Sequence, residues 1–270
     1  MVSFFEKLMG RGKYSAPAAI LHFIVSVLVA AAAAVLIFGY WFHAPLAELM
    51  GGRELFWLIV AVDVVCGPLM TFIVFGPGKS QFERAVDLII IILIQLCALG
   101  YGIYTLGYAR PVALVYEVDR FRLISYADLD EADAVNAPEW LRPWSSSPMR
   151  TVGLKSSEAS LEAKMKSIDA SLQGVEPSQR PSRWQDYEMS AAQVLERARP
   201  MSDLRLKHPT KSDMIIDAAA IALEGADKGE TRDMESLRWL PLVSRWTTDW
   251  VVLIDPVSAR VRGYLHLDGF

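Results

Sequence analysis

The sequence predicts a membrane protein in which three transmembrane helices are followed by a periplasmic α+β domain with an antiparallel sheet. Hydrophobic residues make up 53% of the 270 residues, and the mean hydropathy is positive, which is more apolar than an ordinary soluble protein. The long apolar runs all precede residue 110, whereas 25 Asp and Glu and 21 Lys and Arg follow from Gly107 onward. The first part therefore belongs in lipid, and the second part forms a mildly acidic, water-exposed domain.

Three apolar runs, about 16–42, 55–78 and 88–109, follow a short N-terminus, 1–15, that is predicted to be cytoplasmic. Each run exceeds the roughly 20 residues that a helix needs to cross a bilayer. The apolar core of a signal peptide has only ~7–15 residues, so the first run, which ends in Tyr40, Trp41 and Phe42, is predicted to be an uncleaved anchor. The polar domain then covers residues 110–270.

Basic residues around the runs predict the orientation in the membrane. Positive side chains favour the cytoplasmic side of a membrane helix. One side carries five of them before the first run and between the second and third, and the other side carries only Arg53; the five are Lys7, Arg11, Lys13, Lys79 and Arg84. The protein is therefore predicted to lie in the inner membrane of a bacterium. Its N-terminus is predicted to be in the cytoplasm and its C-terminal domain in the periplasm.

The second run carries the polar features around which a site is expected. Asp63 lies about eight residues, or ~12 Å, below the outer end of the predicted helix, where a charged group costs on the order of 3 kcal/mol. Three roles are open: a proton carrier, a handle for another transmembrane helix, or a carboxyl that locks the three helices together. No other ionisable residue is predicted at the same depth, which disfavours the proton carrier.

The pair Gly67-Pro68 predicts a break in the same helix. Proline has no N–H, so in an α-helix Pro68 would free the carbonyl of Val64, and Gln95 of the third run lies at a depth from which its amide could donate to that carbonyl. Cys66 and Cys97 also share a level and are predicted to meet at a helix contact.

Two features near these runs favour structural interpretations. The string Gly78-Lys79-Ser80 resembles the end of a phosphate-binding loop, but Ile73 stands where that motif requires its first glycine. A tight cytoplasmic turn is therefore predicted. Both cysteines lie in apolar runs, which leaves none for a disulfide in the polar domain.

The polar domain is predicted to have strands at its ends and helices between them. Val112 to Ser125 indicates a strand or hairpin, and a second hairpin is expected around a turn at Asp255-Pro256. Helices are predicted at about 157–173, at 190–198 and from Thr210 to Leu223, the last two with capping boxes. The first strands and the last hairpin are expected to pair in one antiparallel sheet.

Catalytic and metal-binding patterns are scarce in this sequence. The four histidines, His22, His43, His208 and His266, form no HExxH pair, and neither a GxSxG nor a CxxC motif occurs. The acidic cluster around Asp130 lacks the spacing of a calcium loop. No basic run suggests nucleic-acid binding. The sequence therefore predicts a protein that is not an enzyme, with no cofactor, no metal site and no nucleic-acid partner.

Four segments resemble the TfpX/TfpZ family of type IV pilin accessory proteins. They are VDVVCGPLMTFIVFGPGKS at 62–80, YGIYTLGYARPVALVYEVDRFRLI at 101–124, VLERARPMSDL at 194–204 and WLPLVSRWTTDWVVLIDP at 239–256. The resemblance implies an inner-membrane protein that helps a particular major pilin reach the surface as a fibre. It carries over no catalytic residues.

With this resemblance, the expected partners are the transmembrane helix and periplasmic head of a type IV pilin, together with membrane lipid. The residues expected to bind the partner are Asp63, Gly67, Pro68, Gln95, Glu117, Asp119, Arg120 and Phe121. The sequence predicts no particular oligomeric state. The competing hypotheses are a small membrane enzyme or proton-coupled transporter centred on Asp63, and a membrane sensor with a periplasmic ligand domain.

Overall fold

The chain forms two compact units, Met1–Ala109 and Arg110–Phe270. The computed structural model describes residues 2–42, 45–75, 78–135, 138–145, 147–155, 165, 168, 172 and 174–270. The predicted helix at 157–173 lies outside the described residues except for Met165, Ile168 and Leu172, which are helical and exposed.

Among its described residues, the first unit contains three helices that are long and apolar enough to cross a membrane: span 1 (Ser15–Trp41), span 2 (Gly52–Val74) and span 3 (Gln81–Ala109). Span 1 belongs to a helix from Val2 to Leu36 that continues as a π-helix over Ile37–Trp41. Span 2 joins an α-helix (Gly52–Ala61), a π-helix (Val62–Cys66) and a second α-helix (Gly67–Val74). A short helix, Leu46–Leu49, lies between spans 1 and 2.

Span 3 begins seven residues before the predicted start of the third run. The first turn of span 3 contains charged residues, so the apolar pattern does not include it. Ser80 caps this turn through two reciprocal hydrogen bonds. The Ser80 N–H donates to Glu83 Oε2 at 2.7 Å, and the Glu83 N–H donates to Ser80 Oγ at 3.2 Å. Lys79, which precedes the helix, forms an ion pair with Asp87 of the second turn at 2.5 Å.

Span 2 is the central helix of this unit, because it contacts both span 1 and span 3. Only 11%, 17% and 11% of the most apolar windows of spans 1, 2 and 3 are buried inside the protein. Most of their Leu, Ile and Val side chains therefore face outward, and lipid or another apolar helix must cover them.

The second unit is built on a mixed sheet of eight strands within the described residues. The strands are β1 (Pro111–Glu117), β2 (Arg120–Ser125), β3 (Arg150–Leu154), β4 (Trp184–Asp186), β5 (Arg199–Pro200), β6 (Arg238–Val243), β7 (Trp250–Ile254) and β8 (Val261–Leu265). Their order is β4-β3-β1-β2-β6-β7-β8, and β5 pairs with β6. Both predicted hairpins, β1–β2 and β7–β8, are confirmed, and both lie in this one sheet.

The prediction of an antiparallel sheet is wrong in two places, because β1 pairs with β3 and β2 pairs with β6 in parallel. Parallel neighbours need a crossover connection of about a dozen residues or more. Each of these pairs is joined by a connection longer than that, since β1 ends at Glu117 and β3 begins at Arg150, while β2 ends at Ser125 and β6 begins at Arg238. Such connections allow a strand to enter in either direction, whereas a hairpin does not.

Within the described residues, the helices of the second unit are Glu131–Ala134, Ala191–Arg197, Met201–Lys207 and Ser212–Glu224. Met201–Lys207 packs on β5 and β6, and Ser212–Glu224 packs on β8. These two helices bury Met201, Leu204, Ile215 and Ala219 against Trp239 and its neighbours on the sheet. A second cluster, which includes Val115, Ile124, Leu141 and Trp184, packs around β1, β3 and β4.

The two predicted capping boxes are wrong. Short 3-10 turns, Tyr187–Ser190 and Pro209–Lys211, run directly into the helices that follow them, so neither Ser190 nor Thr210 takes the extended conformation of a capping residue. The Ser190 hydroxyl instead accepts a hydrogen bond from Gln185 Nε2 at 3.0 Å.

Candidate functional site

A π-helical turn, Val62–Cys66, interrupts span 2 immediately before its proline. In a π-helix each N–H bonds to the carbonyl five positions earlier, so Pro68, which has no N–H, leaves the carbonyl of Asp63 free. Gln95 of span 3 donates its Nε2 amide to that carbonyl at 2.9 Å. The predicted role of Gln95 is therefore found, but the acceptor is Asp63 and not Val64, because the turn is π-helical.

Gly67 makes this hydrogen bond possible by leaving room for the amide. A β-carbon at position 67 would lie 2.6 Å from Cδ and 2.8 Å from Oε1 of Gln95, closer than non-bonded atoms approach. Any larger residue would have to push the Gln95 amide away from span 2. Gly67, Pro68 and Gln95 thus act together; the sequence suggests the pairing of Pro68 with Gln95 but not the part of Gly67.

The Asp63 side chain is buried at the middle of span 2. It lies eleven residues from each end of the span, Gly52 and Val74, which is ~16 Å along the helix axis in both directions. This is deeper than the sequence predicts, because span 2 begins and ends earlier than the apolar run. Asp63 is 8% exposed, and its Oδ1 has no hydrogen-bond partner among the described residues.

Two apolar grooves meet at Asp63. The first, of about 280 Å³, lies between spans 1 and 3 and is called the Asp63 groove here; its lining consists of Leu21, His22, Val25, Ser26, Val29, Asp63, Leu88, Ile92, Gln95, Leu96 and Leu99. The second, of about 250 Å³, lies between spans 2 and 3 and is lined by Leu55, Leu58, Ile59, Val62, Asp63, Ala98, Tyr101, Gly102 and Thr105. The Asp63 groove contains His22, which matching by depth along the sequence missed.

Polar and close apolar contacts hold the three spans together. His22 Nδ1 of span 1 lies 2.6 Å from the hydroxyl oxygen of Thr71, a fully buried residue of span 2. In span 3, Gly102 lets the helix approach Ile59 so closely that a β-carbon would lie 2.6 Å from its side chain. The predicted contact between Cys66 and Cys97 is wrong, because both thiols are exposed on the outer surface of the helices.

The second group of expected site residues lies at the tip of the β1–β2 hairpin. Asp119 and Arg120 form an ion pair at 2.8 Å and are partly exposed. Glu117 is mostly buried, where it accepts hydrogen bonds from Arg122 Nε and the Ser178 hydroxyl, both at 3.2 Å. The ion pair is therefore accessible to a partner, whereas the Glu117 carboxylate is already engaged.

Phe121 belongs to the core of the second unit. Its ring is fully buried and packs against Tyr116 and Tyr187 at centroid distances of 5.5 and 6.2 Å. Tyr116 in turn donates its hydroxyl to the carbonyl of Val118 at 2.7 Å. Phe121 thus packs in the core beneath the β1–β2 hairpin, and its buried ring is not available for direct contact with a partner.

Val118 is a feature of this hairpin that the sequence pattern does not reveal. Its φ is 57°, and the Asp119 N–H donates to the Glu117 carbonyl at 2.7 Å, which closes a three-residue γ-turn around it. Positive φ is unusual for a β-branched residue, and this kind of γ-turn is rare and strained. Val118 is also 72% exposed, so core packing does not account for an apolar side chain in this position.

An ion-pair network around Glu230 holds together the loop after the last helix and the β7–β8 turn. Arg262 Nη1 contacts Glu230 at 2.9 Å and the buried Asp255 at 3.3 Å, and Arg260 Nε contacts Glu230 at 2.7 Å. The hydrogen bond from Arg260 is the largest cause that lowers the pKa of Glu230 to about 2. Asp255 also accepts backbone N–H bonds from Val257 and Ser258. The network is structural, since its members satisfy one another.

Comparisons with known proteins link these features to a family. The family model described as "Fimbrial assembly protein FimB" matches residues 11–51. A fimbrial assembly protein of serogroup E1 from Dichelobacter nodosus is 35% identical over 254 residues, which cover 93% of this chain and 94% of the relative. This chain belongs to the fimbrial assembly protein family.

Other members of the fimbrial assembly protein family show the same similarity. The serogroup I protein of Dichelobacter nodosus is 34% identical over 253 residues, 93% of this chain and 94% of the relative. The protein of serogroups C1 and C2 is 47% identical over 109 residues, 40% of this chain and 83% of the relative. No solved structure matches the chain. The fimbrial part of the predicted resemblance is confirmed.

Proposed function

We propose that this fimbrial assembly protein is an inner-membrane accessory protein, or chaperone, of the TfpX/TfpZ type that holds a type IV pilin during its assembly into a fibre. The observation that carries the proposal is the similarity to proteins named for fimbrial assembly over 93% of the chain. That length includes residues of both units. The proposal assigns no catalytic step, because neither the sequence motifs nor the named relatives point to a reaction.

The two units have the chemistry that the two parts of a pilin require. A pilin that awaits assembly has one transmembrane helix and a globular periplasmic head. The exposed apolar surface of the three spans suits the helix, and the sheet unit, whose sequence is rich in charged residues, suits the head. The excess of basic residues on one side of the apolar runs, five against one, supports the proposed orientation, with the N-terminus in the cytoplasm and residues 110–270 in the periplasm.

In the sheet unit, the β1–β2 hairpin tip is the proposed contact for the pilin head. Val118 is apolar, exposed and held in a strained turn, and the ion pair of Asp119 and Arg120 lies beside it. Backbone strain of order 1–3 kcal/mol is often found at functional positions. An apolar centre next to a charged pair is also a common arrangement at protein interfaces.

Deleting the gene tests the proposal. We expect cells without it to lose surface fibres and twitching motility, and to regain both when the full chain is restored. Electron microscopy counts the fibres, and immunoblotting measures total pilin. Normal fibres on the deleted strain would contradict the proposed function.

A photo-crosslinking residue at Val118 tests the contact with the head. We expect it to capture the pilin, whereas the same residue at Val257, an equally exposed valine in the β7–β8 turn, serves as the matched control. Equal capture from both positions, or capture of unrelated membrane proteins only, would argue against a specific hairpin contact.

A further inference from the structure

Among the described residues, Oδ1 of Asp63, halfway along span 2, has no hydrogen-bond donor. We propose that Asp63 accepts a hydrogen bond from a hydroxyl or amide side chain on the transmembrane helix of the pilin, and that this helix lies in the Asp63 groove. The inference rests on the proposed function and names the place and the chemistry of its intramembrane contact.

Two of the polar side chains that line the Asp63 groove are engaged elsewhere, and a third, Ser26, does not donate to Asp63 Oδ1. Gln95 gives its amide to the backbone carbonyl of Asp63, and the His22 ring lies at hydrogen-bond distance from Thr71. Asp63 Oδ1 has no partner among the described residues, although the side chain is more than nine-tenths buried. Buried polar groups normally have a partner. The missing donor is therefore expected to come from another molecule.

The position of Asp63 along span 2 disfavours lipid headgroups and bulk water as that donor. Asp63 lies ~16 Å from either end of span 2, so a hydrocarbon layer about 30 Å thick that is centred on this span has Asp63 at its middle. Acyl chains carry no hydrogen-bond donor. A donor that reaches this level must be attached to a membrane-spanning helix, since helices are what can cross the layer with their backbone satisfied.

The π-helical turn supports a role for Asp63 beyond packing. Such turns inside α-helices occur frequently at functional sites. Here the turn is fixed from outside by Gln95, and a glycine at position 67 keeps that contact open. Gly67, Pro68 and Gln95 thus stabilise a helix that is interrupted at Asp63, although packing of the three spans alone would not require the interruption.

The Asp63 groove offers an apolar surface for one more helix. Spans 1 and 3 lie on either side of span 2, and Asp63 lies between them. Its walls expose Val25, Ile92 and Leu96, which are apolar. Apolar walls would pack against a helix, and a single polar acceptor would fix its register, as polar side chains do between membrane helices. A hydroxyl or amide is the fitting donor, because an ammonium at this depth is costly.

Photo-crosslinking in cells tests the inference. The crosslinking residue is placed in the full chain at Ile92 or Leu96 of the Asp63 groove and, for comparison, at Leu58 or Tyr101 of the groove between spans 2 and 3. We expect pilin to be captured from the Asp63 groove. Asp63→Leu should reduce that capture roughly fivefold to thirtyfold, the range for one interhelical hydrogen bond in model peptides, while Asp63→Asn, which keeps an acceptor oxygen, retains most of it.

Controls separate this inference from the proposed function and from misfolding. Val65→Leu alters an exposed residue of the same π-helical turn and should leave capture unchanged. The inference fails if Asp63→Leu leaves capture unchanged, or if pilin is captured only at Leu58 or Tyr101. In either case, capture of pilin at Val118 would still support the proposed function. Asp63→Asn behaving like Asp63→Leu at normal protein levels also overturns it, in favour of proton transfer at Asp63.

Discussion

Gln95 of span 3 replaces the N–H that Pro68 cannot supply, by donating its side-chain amide to the backbone carbonyl of Asp63 at 2.9 Å. A side chain of span 3 thereby satisfies a backbone carbonyl of span 2 that has no donor within its own helix. This contact ties the π-helical turn to span 3, and Gly67 is the residue that leaves space for it.

Replacing Gln95 with leucine should destabilise the three-helix unit. The carbonyl of Asp63 would lose its donor in a region without water, at an expected cost of about 1–3 kcal/mol. Unfolding of the full chain in mixed micelles, followed by circular dichroism, measures this loss. Ile94→Leu, at an exposed neighbouring position, is the matched control and should be close to neutral. Unchanged stability of Gln95→Leu would show that the hydrogen bond contributes nothing.

Gly67→Ala should cost stability only when Gln95 is present. The added methyl group would displace the Gln95 amide, so the single change should lose about as much as removal of the hydrogen bond, ~1–3 kcal/mol. In a Gln95→Ala background the space is empty and the same substitution should be nearly neutral. A double-mutant cycle in mixed micelles gives the coupling between the two sites. Additive effects would mean that Gly67 serves another purpose.

Local sequence patterns predict the elements of this fold better than the contacts between them. Apolar length alone finds the three spans, and β-branched and aromatic residues find the two hairpins. The parallel neighbours β1–β3 and β2–β6 escape prediction, because strands joined by long connections can enter in either direction. A run of apolar residues also looks the same in an α-helix and a π-helix, which is why the acceptor of Gln95 is displaced by one residue.

In the candidate site, the sequence pattern does not predict which side chains point into the core or which residue has a positive φ. Phe121 and Asp119 both stand in the same hairpin sequence, yet one is in the core and the other is exposed. Val118 looks like an ordinary strand residue, because nothing in its identity signals a positive φ. Glycine or asparagine at that position would have indicated the turn.

Val118→Gly should stabilise the sheet unit and weaken its contact with the pilin head. Glycine adopts positive φ without strain, so relief of about 1 kcal/mol is expected, or a rise of about 2–4 °C in the unfolding temperature of a unit of this size. Calorimetry of the full chain in detergent measures the shift. Val118→Ala removes the exposed apolar surface but keeps the strain, so it should reduce pilin capture by a crosslinking residue at the neighbouring Asp119, without raising the transition temperature. A transition temperature that Val118→Gly does not raise would mean the turn is unstrained.

The stability of the sheet unit should decline as the pH falls from about 4.5 towards 2, through the protonation of Glu230. Its pKa in the folded protein is about 2, below the ordinary value of 4.5, chiefly because Arg260 donates a hydrogen bond to its carboxylate. A carboxylate with a lowered pKa stabilises the fold above its unfolded pKa and loses that contribution as it is protonated. Glu230→Gln should therefore be less stable than the parent chain at pH 6, and the difference should shrink towards pH 2. Chemical unfolding at a series of pH values measures the free energy of unfolding of both chains.

Glu224→Gln, at the exposed end of the last helix, is the control that should leave this pH dependence intact. An identical pH dependence in the Glu230→Gln variant and the parent would show that the network does not depend on this charge.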